Sequence, residues 1–193
     1  MTAENAWEGR YQNGTTSWDR NGVNPLFHDW VVATLASDAN ILIPGCGHGH
    51  EVIELSRLGF HVTGIDIAPT PVARMQHELE TEGLQASIIQ IDMFTYVSKQ
   101  PFDAIYEQTS LCAIQPKQRL AYEKKLYTWL KPGGSLYALF MQTGAEGGPP
   151  FHCDVNDMKA LFPTSRWDWE KAESLQSPHP SGRFELGYRL TKC

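Results

Sequence analysis

Residues 44–51 read Pro-Gly-Cys-Gly-His-Gly-His-Glu, which is the composition of a ligand-binding turn. Glycines recur at Gly45, Gly47 and Gly49, between an apolar run and a helical pattern. Glycine lets the backbone turn sharply and lets a ligand approach closely, and free N–H groups at a helix start favour electron-rich atoms. The Gly-x-Gly-x-Gly spacing differs from the Gly-x-Gly-x-x-Gly of dinucleotide folds. The segment therefore predicts a nucleotide-type site but disfavours NAD or FAD.

Two acids follow at matching places. Asp66 ends the apolar run HVTGIDI about twenty residues after the glycines, where a carboxylate accepts hydrogen bonds from ribose hydroxyls. Asp92 closes the next run, IIQID, where it could hold an adenine amine while Met93 covers the ring. The alternatives are a tight turn, a helix cap at Asp66 and a surface Asp92 that opens a loop. Together the three features favour an adenosine-binding site.

These residues must be positioned by alternating strands and helices. Apolar runs predict strands at 40–43, 61–67, 86–91, 102–106 and 135–141, and helical patterns lie at 25–36, 51–58, 71–82 and 117–130. Such alternation predicts βαβ units and a parallel sheet. A short helix at 156–162 and strands at 166–172 and 183–192 suggest an antiparallel C-terminal edge. The fold class is therefore α/β, with a doubly wound sheet of about seven strands, mostly parallel.

The length of 193 residues suits one domain, so we expect residues 1–193 to form a single domain. The first 25 residues look irregular and rich in Asn, Gly and Thr, yet they carry Trp7, Tyr11 and Trp18. Disordered segments are usually poor in aromatic residues. We therefore expect residues 1–25 to fold over another part of the protein.

Composition disfavours several kinds of partner and of structural site. The net charge of −6 and the lack of a Lys/Arg cluster disfavour nucleic acid and anionic membranes as partners. Four cysteines without a CxxC pair disfavour a disulfide framework and a structural zinc site. The first residues show no targeting signal, so we expect a cytoplasmic protein. We also expect a monomer or weak homodimer.

An ordered series of motifs spans nearly the whole sequence. The motifs are WEGRY at 7–11, TSWD at 16–19, PGCGHGHEV at 44–52, GIDI at 64–67, FDAIY at 102–106, CAI at 112–114, LKPGG at 130–134 and GGPPF at 147–151. The series resembles the class I S-adenosylmethionine-dependent methyltransferases. Within that class it is similar to the thiopurine methyltransferase-like group, which includes the halide and thiol methyltransferases.

This resemblance implies a Rossmann-like sheet and S-adenosylmethionine as cofactor. It implies that the glycine turn passes under the methionine part of the cofactor, that the acid after the second strand holds the ribose, and that the N-terminal aromatics form a lid. The residues implied in cofactor binding are Trp7, Tyr11, Trp18, Gly45, Cys46, Gly47, Asp66, Ile67, Asp92, Met93 and Gln108. Aromatic faces attract a sulfonium cation, which makes the lid physically reasonable.

The acceptor is expected to be a small, soft nucleophile. Leu111, Met141 and Phe151 predict a small apolar chamber that suits hydrogen sulfide, methanethiol or a similar thiol, with a methyl thioether as product. Plant-type halide and thiol methyltransferases differ from this chain at Tyr11, at residues 107–111 and at Met141, so the pocket should differ in polarity. The alternatives are thiopurine, halide or selenium and tellurium oxyanion methylation, or a cofactor-binding protein without catalysis.

A thiol must lose its proton before methyl transfer. His152 and Glu107 are the candidate catalytic bases, with His28 behind them, and the alternative is that each is a solvated or hydrogen-bonding residue. His48 and His50 flank Gly49 and resemble a metal pair. The favoured interpretation is that they are loop histidines beside the cofactor, and no metal is predicted.

Overall fold

The computed structural model describes residues 2–169 and 174–193. The chain divides into two compact units, one up to Val97 and the other from Ser98 onward. The predicted α/β class is confirmed, and the described residues contain eight strands where about seven were expected. Within those residues no helix combines the length and the apolar character needed to cross a bilayer.

The first unit is a three-stranded parallel layer with its helices. Its elements are α1 (Ala3–Gln12), β1 (Asn40–Pro44), α2 (His50–Arg57), β2 (His61–Asp66), α3 (Pro69–Glu82) and β3 (Ser87–Gln90). β2 pairs in parallel with both β1 and β3, with Pro44 opposite Ile65 and Asp66 opposite Gln90. The carboxyl ends of the three strands therefore lie at one edge, which is where ligands of open α/β sheets bind.

Local sequence explains most of these elements. The continuous apolar run Ile41–Ile43 is fully buried, as expected for a parallel strand covered on both faces. Helix α3 starts with Pro69 and ends at Gly83, which has the left-handed φ of +66° typical of a helix C-terminus.

The N-terminal part differs from the sequence-based expectation. Residues 3–12, expected to be irregular, form helix α1, whose N-cap Thr2 accepts a hydrogen bond from the Asn5 amide at 3.3 Å. The helix predicted at 25–36 is instead a π-helical turn, Phe27–Val31, followed by a 3₁₀ turn, Val32–Thr34. Phe27 and Val31 are its buried residues, so the wide turn brings two large side chains to the core at a spacing of four.

The second unit has a parallel pair and an antiparallel C-terminal group. Its elements are β4 (Phe102–Gln108), α4 (Ser110–Ala113), α5 (Arg119–Trp129), β5 (Leu130–Gln142), α6 (Val155–Leu161), β6 (Trp167–Trp169), β7 (Leu175–Pro178) and β8 (Phe184–Lys192). β4 runs parallel to β5, and β8 runs antiparallel to β5, β6 and β7. The predicted antiparallel edge is therefore present.

Three details of this unit were not foreseen. The stop signal at 131–134 does end helix α5 at Trp129, but those residues form a bulge inside β5 between Leu130 and Ser135. The turn-rich residues 175–178 form strand β7, and Ser110–Ala113 form the short helix α4. The strand predicted at 166–172 is seen as β6, and its residues from 170 onward lie outside the described part.

Candidate active site

The glycine turn reverses the chain through three left-handed glycines. Gly45, Gly47 and Gly49 have φ values of +60°, +54° and +74°. The amide of Cys46, between the first two, donates to the carbonyl of Ile65 at 3.1 Å, which ties the turn to β2. A side chain at Gly49 would meet the Met75 side chain of α3. The alternation of glycines is therefore required by the backbone conformation and by close packing.

Asp66, at the end of β2, is joined directly to this turn. Its Oδ2 accepts a hydrogen bond from the Gly47 amide at 2.8 Å, and its Oδ1 accepts one from the Ala68 amide at 2.9 Å. Burial raises the pKa of this carboxyl group, and the main-chain donors and His48 only partly offset that effect. A carboxylate has about four lone-pair positions, so acceptor capacity remains for ligand hydroxyls.

Asp92 and Met93 follow β3 at the same edge. The Oδ1 atom of Asp92 accepts from the Phe94 amide at 2.8 Å, and its carbonyl accepts from the Thr95 and Tyr96 amides. This is a local turn closed by the side chain. Asp92 therefore opens a loop, as the alternative interpretation expected, and whether it also holds adenine stays a prediction.

The aromatic residues of the N-terminal segment cluster together. Trp7 and Tyr11 lie one helical turn apart on α1, so they share a face. Trp18 packs edge-on against both, at centroid distances of 5.5 Å from Trp7 and 5.7 Å from Tyr11. The guanidinium of Arg10 lies 5.3 Å from the Trp7 ring and 6.0 Å from the Trp18 ring. Those two indole rings therefore already contact a cation within α1.

Tyr11 brings this cluster onto the glycine turn. A Cβ atom placed on Gly47 would lie 2.9 Å from the Tyr11 hydroxyl oxygen, and the Tyr11 ring packs on His48 at 5.2 Å. Burial, followed by the nearby charge of Asp66, raises the pKa of Tyr11 well above its usual value. The phenol is therefore a neutral hydrogen-bonding group beside the turn.

Replacing Gly47 with alanine is expected to weaken cofactor binding about tenfold and to cost about 1 kcal/mol of stability. The left-handed backbone is strained for alanine, and the new methyl group displaces the Tyr11 hydroxyl. Calorimetric titration with S-adenosylhomocysteine and thermal unfolding measure the two effects.

The matched control for that prediction is Gly14→Ala. Gly14 has a similar φ of +64° and has no neighbour within 4 Å of a built Cβ. It should lose similar stability while keeping full affinity. Equal affinity of the Gly47 and Gly14 variants would contradict the close approach of ligand and turn.

Polar contacts fasten the N-terminal segment at three points. Glu8 of α1 accepts hydrogen bonds from the amide of Thr70, at 3.0 Å, and from its hydroxyl. Asp19 contacts both histidines of the glycine turn. The Asn24 amide donates to Oε1 of Glu51 at 3.0 Å. The geometry is that of a cover fixed to the glycine turn, α2 and the start of α3.

In the second unit, Glu107 near the end of β4 is almost fully buried. Its Oε1 accepts from the Leu111 amide at 2.7 Å, at the start of α4. Burial, with the nearby Glu185 charge, raises the pKa of Glu107 to about 8, against the opposing effect of main-chain donors and Arg119. Glu107 is therefore mostly protonated at neutral pH.

His152, the other candidate base, also has a ring nitrogen that already accepts main-chain hydrogen bonds. Its Nδ1 faces the Thr143 amide at 3.1 Å and the Gly144 amide at 3.4 Å. Two main-chain donors at Nδ1 place the proton of the neutral ring on Nε2. The role of each residue as a base stays a prediction, and the geometry makes both hydrogen-bonding partners of the main chain.

Gln108 follows Glu107 on β4. Its Oε1 accepts from the Tyr106 hydroxyl at 2.8 Å, and its Nε2 lies 3.5 Å from Oε2 of Glu185. The next residue, Thr109, has a φ of +63°, which is unfavourable for a β-branched residue and marks strain at the end of β4. Sequence gave no signal for that strain.

The residues expected to contact the acceptor lie on hydrogen-bonded segments. The Phe151 amide donates to the Cys112 carbonyl at 2.7 Å, next to Leu111, and the Cys153 amide donates to the Met141 carbonyl at 2.9 Å. Leu111 and Met141 are buried, whereas Phe151 is partly exposed. The second unit thus brings the three predicted apolar side chains to neighbouring segments.

The residues of the first unit fit an adenosine-type cofactor. Gly47 has no side chain to hinder a ligand beside the Tyr11 hydroxyl, and the carboxylate of Asp66 has acceptor capacity left for ribose hydroxyls. Together with a parallel layer whose strand ends meet at this edge, these features define the fold class of the class I methyltransferases. A solved structure with that fold is a 1,6-didemethyltoxoflavin-N1-methyltransferase from Burkholderia thailandensis, with a TM-score of 0.79, 16% identity and coverage of 98% of this chain and 86% of that one.

The family is defined by sequence. The model of the thiopurine S-methyltransferase (TPMT) family matches residues 2–189. A thiocyanate methyltransferase 1 from Arabidopsis thaliana is 33% identical over 165 residues, covering 82% of this chain and 71% of its own length. A probable thiol methyltransferase 2 from the same plant is 32% identical over 161 residues, covering 81% and 71%. This chain belongs to the thiopurine S-methyltransferase family and is an S-adenosylmethionine-dependent methyltransferase.

Proposed function

We propose that this enzyme methylates a small thiol, such as hydrogen sulfide or methanethiol, on sulfur. The observation that carries the proposal is the apolar character of Leu111, Met141 and Phe151, whose segments are tied by main-chain hydrogen bonds. Apolar surroundings favour a soft, weakly hydrated nucleophile over an oxyanion. The similarity to a probable thiol methyltransferase supports the same acceptor class.

The protein's part in this reaction is positioning and exclusion of water. S-adenosylmethionine supplies a methyl group that is already activated on a sulfonium. We propose that the glycine turn and Asp66 orient the cofactor, and that Tyr11 shields it from water. Nucleophilic displacement needs an aligned, desolvated nucleophile, and alignment alone is a large part of the rate enhancement.

We further propose that the acceptor binds as a thiolate formed in solution. The acceptor atoms of Glu107 and His152 already receive main-chain hydrogen bonds. A thiol with the pKa of cysteine, about 8.5, has a few per cent of thiolate at neutral pH, and the thiolate is the reactive form. Protein groups then need only to bind this species and to keep water away from it.

The assay is formation of S-adenosylhomocysteine from purified enzyme, S-adenosylmethionine and a series of thiols of increasing size. Small thiols should be turned over, and bulky aromatic thiols should react far more slowly. No product above background with any thiol overturns the proposed acceptor. Calorimetric titration with S-adenosylhomocysteine separates loss of cofactor binding from loss of the acceptor.

The pH dependence provides a sharper test. For each thiol, kcat/KM should rise about tenfold per pH unit up to the pKa of that thiol and then level off. A thiol with a lower pKa should shift the rise to lower pH by the same amount. A rise that stays at one pH for every thiol indicates a protein base and contradicts a thiolate formed in solution.

A soft anion such as thiocyanate is the second candidate acceptor. An anion carries no proton, which suits a pocket whose candidate bases already receive main-chain hydrogen bonds. A relative with 33% identity is named a thiocyanate methyltransferase. The same assay with thiocyanate in place of the thiol separates the two acceptors, because only the thiol reaction depends on pH through acceptor ionisation.

A further inference from the structure

Asp19 lies between two histidines of the glycine turn. Its Oδ2 is 2.5 Å from Nδ1 of His48, and its Oδ1 is 2.8 Å from Nε2 of His50. Taking one ligand-type atom from each of the three residues, these atoms lie within 4.8 Å of one another. All three side chains are partly buried, with exposures of 11% for Asp19, 13% for His48 and 23% for His50. The group is sheltered but accessible to a small ion.

Backbone geometry produces this convergence. His48 and His50 are separated by Gly49, whose φ of +74° bends the chain so that both rings face the same carboxylate. Their ring centroids are 6.2 Å apart. His50 is the first residue of α2, and the Asn21 amide donates to Oδ1 of Asp19 at 2.9 Å. The ligand-type atoms are therefore held by the turn, the helix start and a neighbouring main-chain donor, as ligands of metal sites usually are.

The chemistry of the group suits a transition-metal ion. Two imidazoles and one carboxylate are a common three-ligand set for zinc, with a fourth position left to water. Zinc-to-ligand distances of about 2.0–2.2 Å in a tetrahedron place ligand atoms roughly 3.3 Å apart. With Oδ2 of Asp19 as the ligand atom, its 2.5 Å contact to Nδ1 of His48 needs to lengthen by less than about 1 Å to admit an ion. The imidazole protons that now point at Asp19 move to the opposite ring nitrogens, so both rings stay neutral.

Further ionisable groups surround the three residues. Asp66 interacts electrostatically with His48, and Glu51 interacts with His50. Arg20 is the opposing cation and lies near Glu51. With neutral imidazoles, the carboxylate of Asp19 supplies the negative charge among the three ligand residues, which favours a divalent cation.

We propose that Asp19, His48 and His50 form a binding site for a divalent zinc-type ion. The site joins the segment that carries Trp18 to the turn that carries Gly47. A bound ion therefore holds the N-terminal segment that carries Trp7, Tyr11 and Trp18 against the glycine turn. The proposal concerns metal binding alone and does not depend on which acceptor is methylated.

The experiment uses the untagged, full-length protein in a Cys193→Ser background, because Cys193 is an exposed thiol that could bind metal by itself. Metal-free protein is titrated with Co²⁺, followed by its visible absorption, and with Zn²⁺ by calorimetry, without cofactor. We expect one ion per chain, a tetrahedral Co²⁺ spectrum and no thiolate charge-transfer band. Saturating Zn²⁺ should raise Tm by about 5 °C.

Single variants Asp19→Asn, His48→Gln and His50→Gln should each weaken Zn²⁺ binding at least about tenfold. The matched control is His77→Gln, because His77 is exposed on α3 and should leave affinity unchanged. The Asp19→Asn variant keeps a hydrogen-bond acceptor between the rings, and it separates loss of the ligand from loss of the segment's position. Metal-free Tm values show whether each variant is folded.

Two outcomes overturn the proposal. One is stoichiometric Zn²⁺ binding that survives the double variant His48→Gln with His50→Gln. The other is the absence of saturable Co²⁺ or Zn²⁺ binding to the folded starting protein. A protein that binds the ion but turns over no acceptor leaves the metal site standing and refutes only the proposed function.

Discussion

Replacing Asp66 with alanine is expected to reduce affinity for S-adenosylmethionine at least about 100-fold. The proposed ribose contact consists of two hydroxyl donors to one carboxylate, and each hydrogen bond to a charged group contributes about 1.5–3 kcal/mol. The substitution also leaves the amides of Gly47 and Ala68 without their acceptors. Calorimetric titration with S-adenosylmethionine and S-adenosylhomocysteine measures the loss.

Because Asp66 also supports the turn, a cofactor analogue is needed to isolate the ribose contact. An S-adenosylhomocysteine analogue without the 2′-hydroxyl should bind weakly to the unaltered enzyme. The Asp66→Ala substitution should cost this analogue less affinity than it costs S-adenosylhomocysteine, because one of the two proposed hydroxyl contacts is already absent. Fully additive losses mean that Asp66 does not touch the 2′-hydroxyl.

Asp38→Ala is the matched control for the same change of side chain. Asp38 is exposed and lies just before the amino end of β1, away from the carboxyl ends of the strands. The Asp38→Ala variant should bind S-adenosylmethionine and S-adenosylhomocysteine with unchanged affinity. Unaltered affinity in a folded Asp66→Ala variant would contradict the proposed cofactor site.

The glycine turn and the acid after β2 could be predicted from sequence because the requirements are local. Gly45, Gly47 and Gly49 each adopt a positive φ that only glycine tolerates well, so the residue types themselves indicate the backbone conformation. The strand ends that position Asp66 follow from continuous apolar runs. The family resemblance depends on the whole ordered series of motifs between residues 7 and 151.

Helix α1 was missed because nothing in its sequence signals a buried face. No residue in Ala3–Gln12 is fully buried, and Tyr11 is only partly so, so the apolar periodicity that reveals a packed helix is absent. The signals that could have revealed it are Thr2 as N-cap and the four-residue spacing of Trp7 and Tyr11. Strand β7 was missed because prolines at its end suggested only a turn.

Contacts between distant residues were also beyond sequence reasoning. Asp19 meets His48 and His50 at separations of 29 and 31 residues, and no local pattern pairs them. Similarly, the effect of Glu185 on Glu107 arises only when β8 and β4 belong to the same unit. His152 directly follows the GGPPF motif in sequence, but its Nδ1 contacts depend on the loop at 143–144.

Replacing Glu107 with glutamine is expected to make stability much less dependent on pH. The ordinary pKa of a glutamate is 4.5, and the fold raises that of Glu107 to about 8, first through burial and then through Glu185. The folded state therefore holds a proton that the unfolded chain releases above about pH 4.5. Stability from this proton is complete below that pH and is lost by roughly 1.4 kcal/mol per pH unit as the pH rises towards about 8.

Glutamine imitates the protonated carboxyl group without titrating. Its amide oxygen can accept the Leu111 hydrogen bond that Oε1 of Glu107 accepts now. Near pH 8 the variant should therefore be more stable than the unaltered protein by a few kcal/mol, whereas near pH 5 the two should be similar. Urea unfolding across this range measures both curves.

Several ionisable side chains around Glu107 influence its protonation. Arg119 favours the ionised form of Glu107, whereas the ionised forms of Glu185, Cys112, Cys153 and Tyr122 oppose it.

The control Glu80→Gln, on the exposed face of α3, should give a curve of stability against pH parallel to that of the unaltered protein. If the Glu107→Gln curve is parallel as well, the buried proton is not held at Glu107. If its stability responds as expected while kcat/KM stays within about twofold, the carboxyl group supports α4 and does not act as the base.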